Sequence, residues 1–150
     1  MKFKVTNGPK WLKSYTPKLR KLFDKYFENL LGNSWVSVNF VSKEQIRELS
    51  SRFRKLHTGT DVLSFPFVFV DAGEPVDEEE LGEIYISEEI TKENAKEYKV
   101  SYREELVRVF IHGTLHVLGY DHVGTLNNPD IDDKEMFEMQ EFLVKEVFRK

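Results

Sequence analysis

Apolar and polar residues alternate along residues 2–6 and again along 35–41, the period of a strand with one buried face. Between these runs the period lengthens. Leu19, Leu22, Phe23, Tyr26, Phe27, Leu30 and Leu31 recur at helical spacing behind Thr16-Pro17. That pair predicts Thr16 as N-cap and Pro17 as the first helical residue, with Gly32 as the stop. Ser42 and Gln45 form a capping-box pattern for the next helix, whose inner stripe is Ile46, Leu49 and Phe53. A basic end, residues 52–57, and a polar turn, residues 58–61, follow. Residues 62–69 are the most apolar, β-prone run of the chain. Pro66 cannot donate to a ladder, so it marks an edge, a break or a bulge there.

Residues 71–80 read as an acidic loop and residues 81–86 as another strand. Ser87 predicts the cap of a short helix reaching about Tyr98. Ser101 with Glu104 predicts the cap of a long one. Leu106, Val109, Phe110, Gly113, Leu115 and Val117 cover much of that helix's circumference, so it is expected to be buried on several sides. A turn-rich segment, residues 123–132, precedes a last amphipathic helix carrying Met136, Met139, Phe142, Leu143, Val147 and Phe148. The order is strand, helix, strand, helix, strand, strand, helix, helix, helix. It predicts an α+β fold: one domain over residues 1–150, with a small mixed β-sheet of about four strands packed with helices and the long helix central.

Composition changes this picture little. With 150 residues, 40% hydrophobic and 32% charged, the chain can bury a real core. It holds no cysteine, so any metal must be held by His, Asp or Glu. No apolar run approaches a membrane span, and the first residues lack a signal-peptide core, which makes a cytoplasmic protein the default expectation. Net charge is −4, which alone does not suggest a nucleic-acid binder, but its distribution is uneven. Residues 1–25 carry eight Lys and Arg against Asp24, and residues 71–89 carry nine acids and no base. A basic face can meet phosphate even when the total is negative, although two solvated faces explain the pattern as well.

The candidate chemistry sits on the long helix. Of four histidines, three are His112, His116 and His122. Four residues apart, His112 and His116 share one helix face. Gly119 can take the positive φ that ends the helix and lets the chain bring His122 back toward the pair. Three imidazoles with a position left open are the ligand set of a catalytic zinc site, although imidazoles also suit nickel, copper and iron. The spacing His-x-x-x-His-x-x-Gly-x-x-His is that of the metzincin peptidases, but their general-base glutamate is replaced by Gly113. That argues for metal-assisted hydrolysis of something other than a peptide bond, or by a different base.

Three stretches in order are Thr60-Asp61-Val62-Leu63-Ser64-Phe65-Pro66, then Leu81-Gly82-Glu83-Ile84-Tyr85-Ile86-Ser87, then His112-Gly113-Thr114-Leu115-His116-Val117-Leu118-Gly119-Tyr120-Asp121-His122. Together with Met136-Phe137 they resemble the YbeY family of bacterial endoribonucleases. The resemblance runs from about Leu49 into the final helix. It implies a zincin-like arrangement and a zinc-dependent, single-strand-specific endoribonuclease. The implied role is 16S rRNA 3′-end maturation and ribosome quality control, in contact with ribosomal RNA, the small subunit and ribosome-associated proteins. It matches His112, His116 and His122 to the metal ligands, and Arg54 to an arginine near the cleft that serves RNA cleavage. Phe53, Gly59, Glu83 and Ser50 depart from the usual Tyr, Pro, Asp and Asn without touching the ligands.

An ion held by three neutral imidazoles keeps its positive charge and can act on a water or a phosphate oxygen. Arg54 offers a bidentate phosphate partner. His57 reads as a loop histidine, Asp61 as a turn former, and Asp121 as a carboxylate able to orient an imidazole. Two other classes stay open: a metzincin-like peptidase, and a non-enzymatic ribosome-assembly factor whose metal is structural.

Overall fold

The computed structural model describes residues 1–27, 33–52, 62–67, 79–119 and 129–149; side chains are described throughout except at 129–133. Four strands form one sheet: β1 (Lys2–Thr6), β2 (Trp35–Val41), β3 (Val62–Pro66) and β4 (Glu80–Ser87). Its order is β1-β2-β4-β3, with β1, β2 and β4 parallel and β3 antiparallel to β4. The sheet is thus mixed and four-stranded, as expected from the order of elements. Pro66 lies at the end of the edge strand β3, where the absent amide costs no ladder bond. Glu80, expected in the loop, already belongs to β4, and its carboxylate accepts from Ser37 Oγ at 2.6 Å.

Five helices accompany the sheet among the described residues: α1 (Thr16–Tyr26), α2 (Lys43–Arg52), α3 (Glu88–Tyr98), α4 (Tyr102–Val117) and α5 (Pro129–Phe148). Three sequence-read caps form. Ser42 and Gln45 exchange bonds of 2.9 and 3.1 Å, the reciprocal capping box. Ser87 Oγ accepts from Ile90 N, and Ser101 Oγ from Glu104 N.

Thr16 is not the cap of α1. A 3₁₀ turn, Lys10–Ser14, precedes the helix and already places Tyr15 in the αR region, so Tyr15 takes the cap position. Thr16 Oγ1 instead donates to Lys13 O. The helix ends at Tyr26 with Phe27 as its C-cap; Gly32 lies outside the described residues. α5 begins at Pro129, inside the segment expected to be turns. A proline in a first turn loses no helical bond, so it opens the helix as readily as it would mark a loop.

The layers meet through alternation. Val36, Val38 and Phe40 of β2 and Ile84 and Ile86 of β4 are buried in one core with Leu19 and Phe23 of α1 and Leu143, Val144 and Val147 of α5. Each such side chain contributes roughly 1.5–3 kcal/mol of transfer free energy. α4 runs through the middle, packed against β3, β4, α3 and α5. Eleven of its sixteen residues are buried, which explains why apolar positions cover so much of its circumference.

Close approach of α4 to the sheet needs glycine on both sides. A Cβ at Gly113 would stand 2.9 Å from Ile84 Cγ2 and 3.1 Å from Val62 Cγ2. A Cβ at Gly82 would stand 2.6 Å from the Phe65 carbonyl oxygen and 2.9 Å from Val117 Cγ1.

Candidate functional site

The last two turns of α4 present His112 and His116 on one face. Their Nε2 atoms lie 2.9 Å apart and the rings meet edge to face. His116 is 6% exposed. The helix stops just after them. Leu118 N and Gly119 N bond back to Thr114 O and His116 O, and Gly119 has φ 95, the left-handed conformation its side-chain-free backbone permits.

His112 is held from the far side. Its Nδ1 lies 2.7 Å from Oε1 of Gln140 on α5. An amide oxygen only accepts, so a neutral ring there carries its proton on Nδ1 and keeps its lone pair on Nε2. In the 2.9 Å contact His116 Nε2 is then the donor. Gln140 Nε2 in turn donates to Glu141 Oε2 at 3.0 Å. Glu141 receives Arg108 through two bonds, Nε to Oε2 at 2.9 Å and Nη2 to Oε1 at 3.0 Å. Arg108 also reaches Glu104 at 3.1 Å and Glu105 at 3.0 Å. Hydrogen bonding to Arg108 holds the Glu141 carboxyl below the usual carboxylate range, and bonding to Glu141 first of all raises the guanidinium further.

The pair fits a divalent ion. Two nitrogens bound to one tetrahedral zinc at 2.0–2.1 Å would lie about 3.3 Å apart. The observed 2.9 Å is within a few tenths of an ångström of that, and the same lone pairs that share a proton would face an ion. His122 and Arg54 lie outside the described residues, as do His57, Asp61 and Asp121. Among the described residues no group of three or more His, Asp or Glu side chains is placed so that it could hold a metal ion. Ser64 is buried in β3, opposite Ile84.

Gln140, Glu141 and Arg108 were not singled out from the sequence. The signal was present: Gln140 is a polar residue inside the apolar stripe of Met136, Leu143, Val144 and Val147, and it is 7% exposed. Gly113, in the position of the peptidase base, faces Ile84 and Val62 of the sheet and not the histidine face. A separate groove of about 530 Å³ lies between β1 and α1, lined by Lys2, Arg20, Lys21 and Asp24 among others.

Sheet, buried helix and paired imidazoles define a small α+β protein with two histidines on one face of a buried helix. Similarity to known proteins narrows this class. Residues 6–147 match the family model described as Endoribonuclease YbeY, and the chain belongs to the YbeY family. A Thermotoga neapolitana protein named Endoribonuclease YbeY is 43% identical over 141 residues, 94% of this chain and 83% of that protein. One of the same name from Thermosipho melanesiensis is 34% identical, covering 92% of each chain. The solution structure of TM1509 from Thermotoga maritima superposes with a TM-score of 0.67 at 36% identity, covering 97% of this chain and 89% of that one.

Proposed function

We propose that this protein is a metal-dependent, single-strand-specific endoribonuclease acting in 16S rRNA 3′-end maturation and ribosome quality control, with one zinc ion in a zincin-like arrangement. The observation that carries the reading is the convergence of His112 and His116 Nε2 at 2.9 Å on a buried helix that ends immediately afterwards at Gly119. The relatives named Endoribonuclease YbeY supply the nucleic-acid side of it.

His112, His116 and His122 would hold the ion, with His112 oriented by Gln140. When bound, the ion supplies Lewis acidity and positive charge against a phosphodiester. Arg54 would bind a non-bridging phosphate oxygen pair through its guanidinium fork. The basic lining of the groove between β1 and α1 supports contact with further phosphates, and the proposed partners are ribosomal RNA, the small subunit and proteins bound to it. No helix of the described residues is long and apolar enough to cross a membrane, and the proposed location is the cytoplasm.

Gly113 weighs against the peptidase alternative on steric grounds. A glutamate there would enter the helix–sheet contact before it could reach a substrate. The assembly-factor alternative differs in what His116→Ala should do. The test combines metal content by mass with cleavage of single-stranded rRNA fragments by wild type and His116→Ala. The expected result is about one zinc per chain in the wild type, and a folded variant whose cleavage falls at least about 100-fold, the scale of losing one electrostatic stabiliser. A metal-free wild type with equal activity in the variant would overturn the proposal. An unfolded variant would favour a structural metal.

A further inference from the structure

Resting on the metal-site reading above, we propose that Gln140, fixed by Glu141 and Arg108, is a positioning residue for the histidine pair. It sets the tautomer and ring orientation of His112 so that the Nε2 lone pair faces the site.

Donors and acceptors fix the order of contacts from Arg108 to His112. Arg108 has only donors, and three carboxylates surround it, two on its own helix and Glu141 on α5. Glu141, bound bidentately by that guanidinium, stays a carboxylate and only accepts. Gln140 must therefore turn its amide NH2 toward Glu141, which it does at 3.0 Å. Its oxygen is then left for His112, 2.7 Å away. His112 can meet that oxygen only with a protonated Nδ1, and a neutral ring protonated at Nδ1 has its lone pair on Nε2. The polarity of each group is imposed by the one before it.

The arrangement also joins two helices. Arg108 and His112 lie on one face of α4, one turn apart, and Gln140 and Glu141 are adjacent on α5. Without Gln140 the acceptor that calls for a proton on Nδ1 is gone. A neutral imidazole in water favours Nε2–H, which would present the wrong nitrogen. Ligand-orienting partners of this kind typically change metal affinity about 10–100-fold.

The tautomer can be read without zinc or RNA. In metal-free, 15N-histidine-labelled full-length protein, long-range 1H–15N correlation separates Nδ1–H from Nε2–H. The wild type is expected to show Nδ1–H at His112. Gln140→Met keeps the side-chain length and lacks the oxygen. It is expected to shift His112 toward Nε2–H and to weaken zinc binding about 10–100-fold in chelator competition. Gln140→Glu retains an accepting oxygen and is expected to restore both, with circular dichroism confirming that each variant folds.

An unchanged Nδ1–H tautomer with undiminished zinc affinity in Gln140→Met overturns the proposal. So does an equal loss of affinity in both variants with no tautomer change, which marks a packing defect. If the wild type takes up no zinc, the metal-site reading fails by itself. The tautomer series then still decides the positioning role: a shift in Gln140→Met restored in Gln140→Glu upholds it, and an unmoved tautomer overturns it.

Discussion

Gly113 and Gly82 show how much rests on single missing side chains. At Gly113 the neighbours are branched side chains locked in a buried sheet, so Gly113→Ala is expected to destabilise the fold by roughly 1–3 kcal/mol in chemical denaturation. Gly82→Ala should be worse, because its first obstacle is the backbone oxygen of Phe65 in the β3–β4 ladder. A Gly82→Ala variant as stable as wild type would mean that the sheet gives way more easily than this packing implies. On the opposite face of β4, Tyr85 donates to Glu83 at 2.6 Å, and that bond first of all pushes the phenol up to about 12. A raised acid binds its proton more tightly in the fold than in the unfolded chain. Its contribution is therefore complete below the ordinary tyrosine pKa of about 10 and disappears as pH rises through about 12. Absorbance titration should show Glu83→Gln bringing this transition down. The late titration of Tyr102, which burial and Glu88 raise, should stay where it is.

Among the elements, α4 carries both the core and the histidines, and its two ends are secured differently. At the start, Ser101 Oγ accepts from Glu104 N at 3.1 Å. Ser101→Ala is expected to lower stability by about 1 kcal/mol, read as a lower Tm with little change in zinc affinity. In the middle, Arg108 ties α4 to α5. Arg108→Met leaves Glu105, 6% exposed, without its guanidinium, and is expected to lower stability by roughly 3 kcal/mol. The carboxylate of Glu141 has a lowered pKa, so its share of that linkage holds above the ordinary carboxylate pKa and is lost as pH falls through the folded value. Denaturation midpoints of wild type and Arg108→Met should accordingly converge toward acid pH.

For the whole molecule, an ion held by the native pair and absent from the unfolded chain must raise stability by mass action. At free zinc about 100 times the Kd the gain is about 2.7 kcal/mol. Thermal melts are expected to move upward with zinc, return with a chelator, and stay unmoved in His116→Ala. Zinc-independent melting of the wild type would contradict the site. At the same scale the uneven charge of the chain has a physical consequence. Net charge is −4, yet Lys2, Arg20 and Lys21 line one groove. RNA affinity should therefore fall steeply with added salt, because each neutralised phosphate releases counterions.

Much of this was legible along the chain because it depends on short-range physics. Alternation at 35–41 and helical spacing along α4 follow from one buried face per element. Ser42, Ser87, Ser101 and Gly119 act within a turn of where they stand, so their caps and stop could be read locally. The i,i+4 spacing was enough to place His112 and His116 together. Thr16 was misread because a 3₁₀ turn upstream moved the cap to Tyr15, and Pro129 because a helix start and a loop look alike there. Parallel pairing of β1, β2 and β4, the reason for Gly113, and the link from Arg108 through Gln140 to His112 could not be read. Each joins groups 28 or more residues apart, or on facing layers, and only packing chose those partners. Sequence determined that two histidines would share a face; the tertiary fold decided which nitrogen each of them turns toward it.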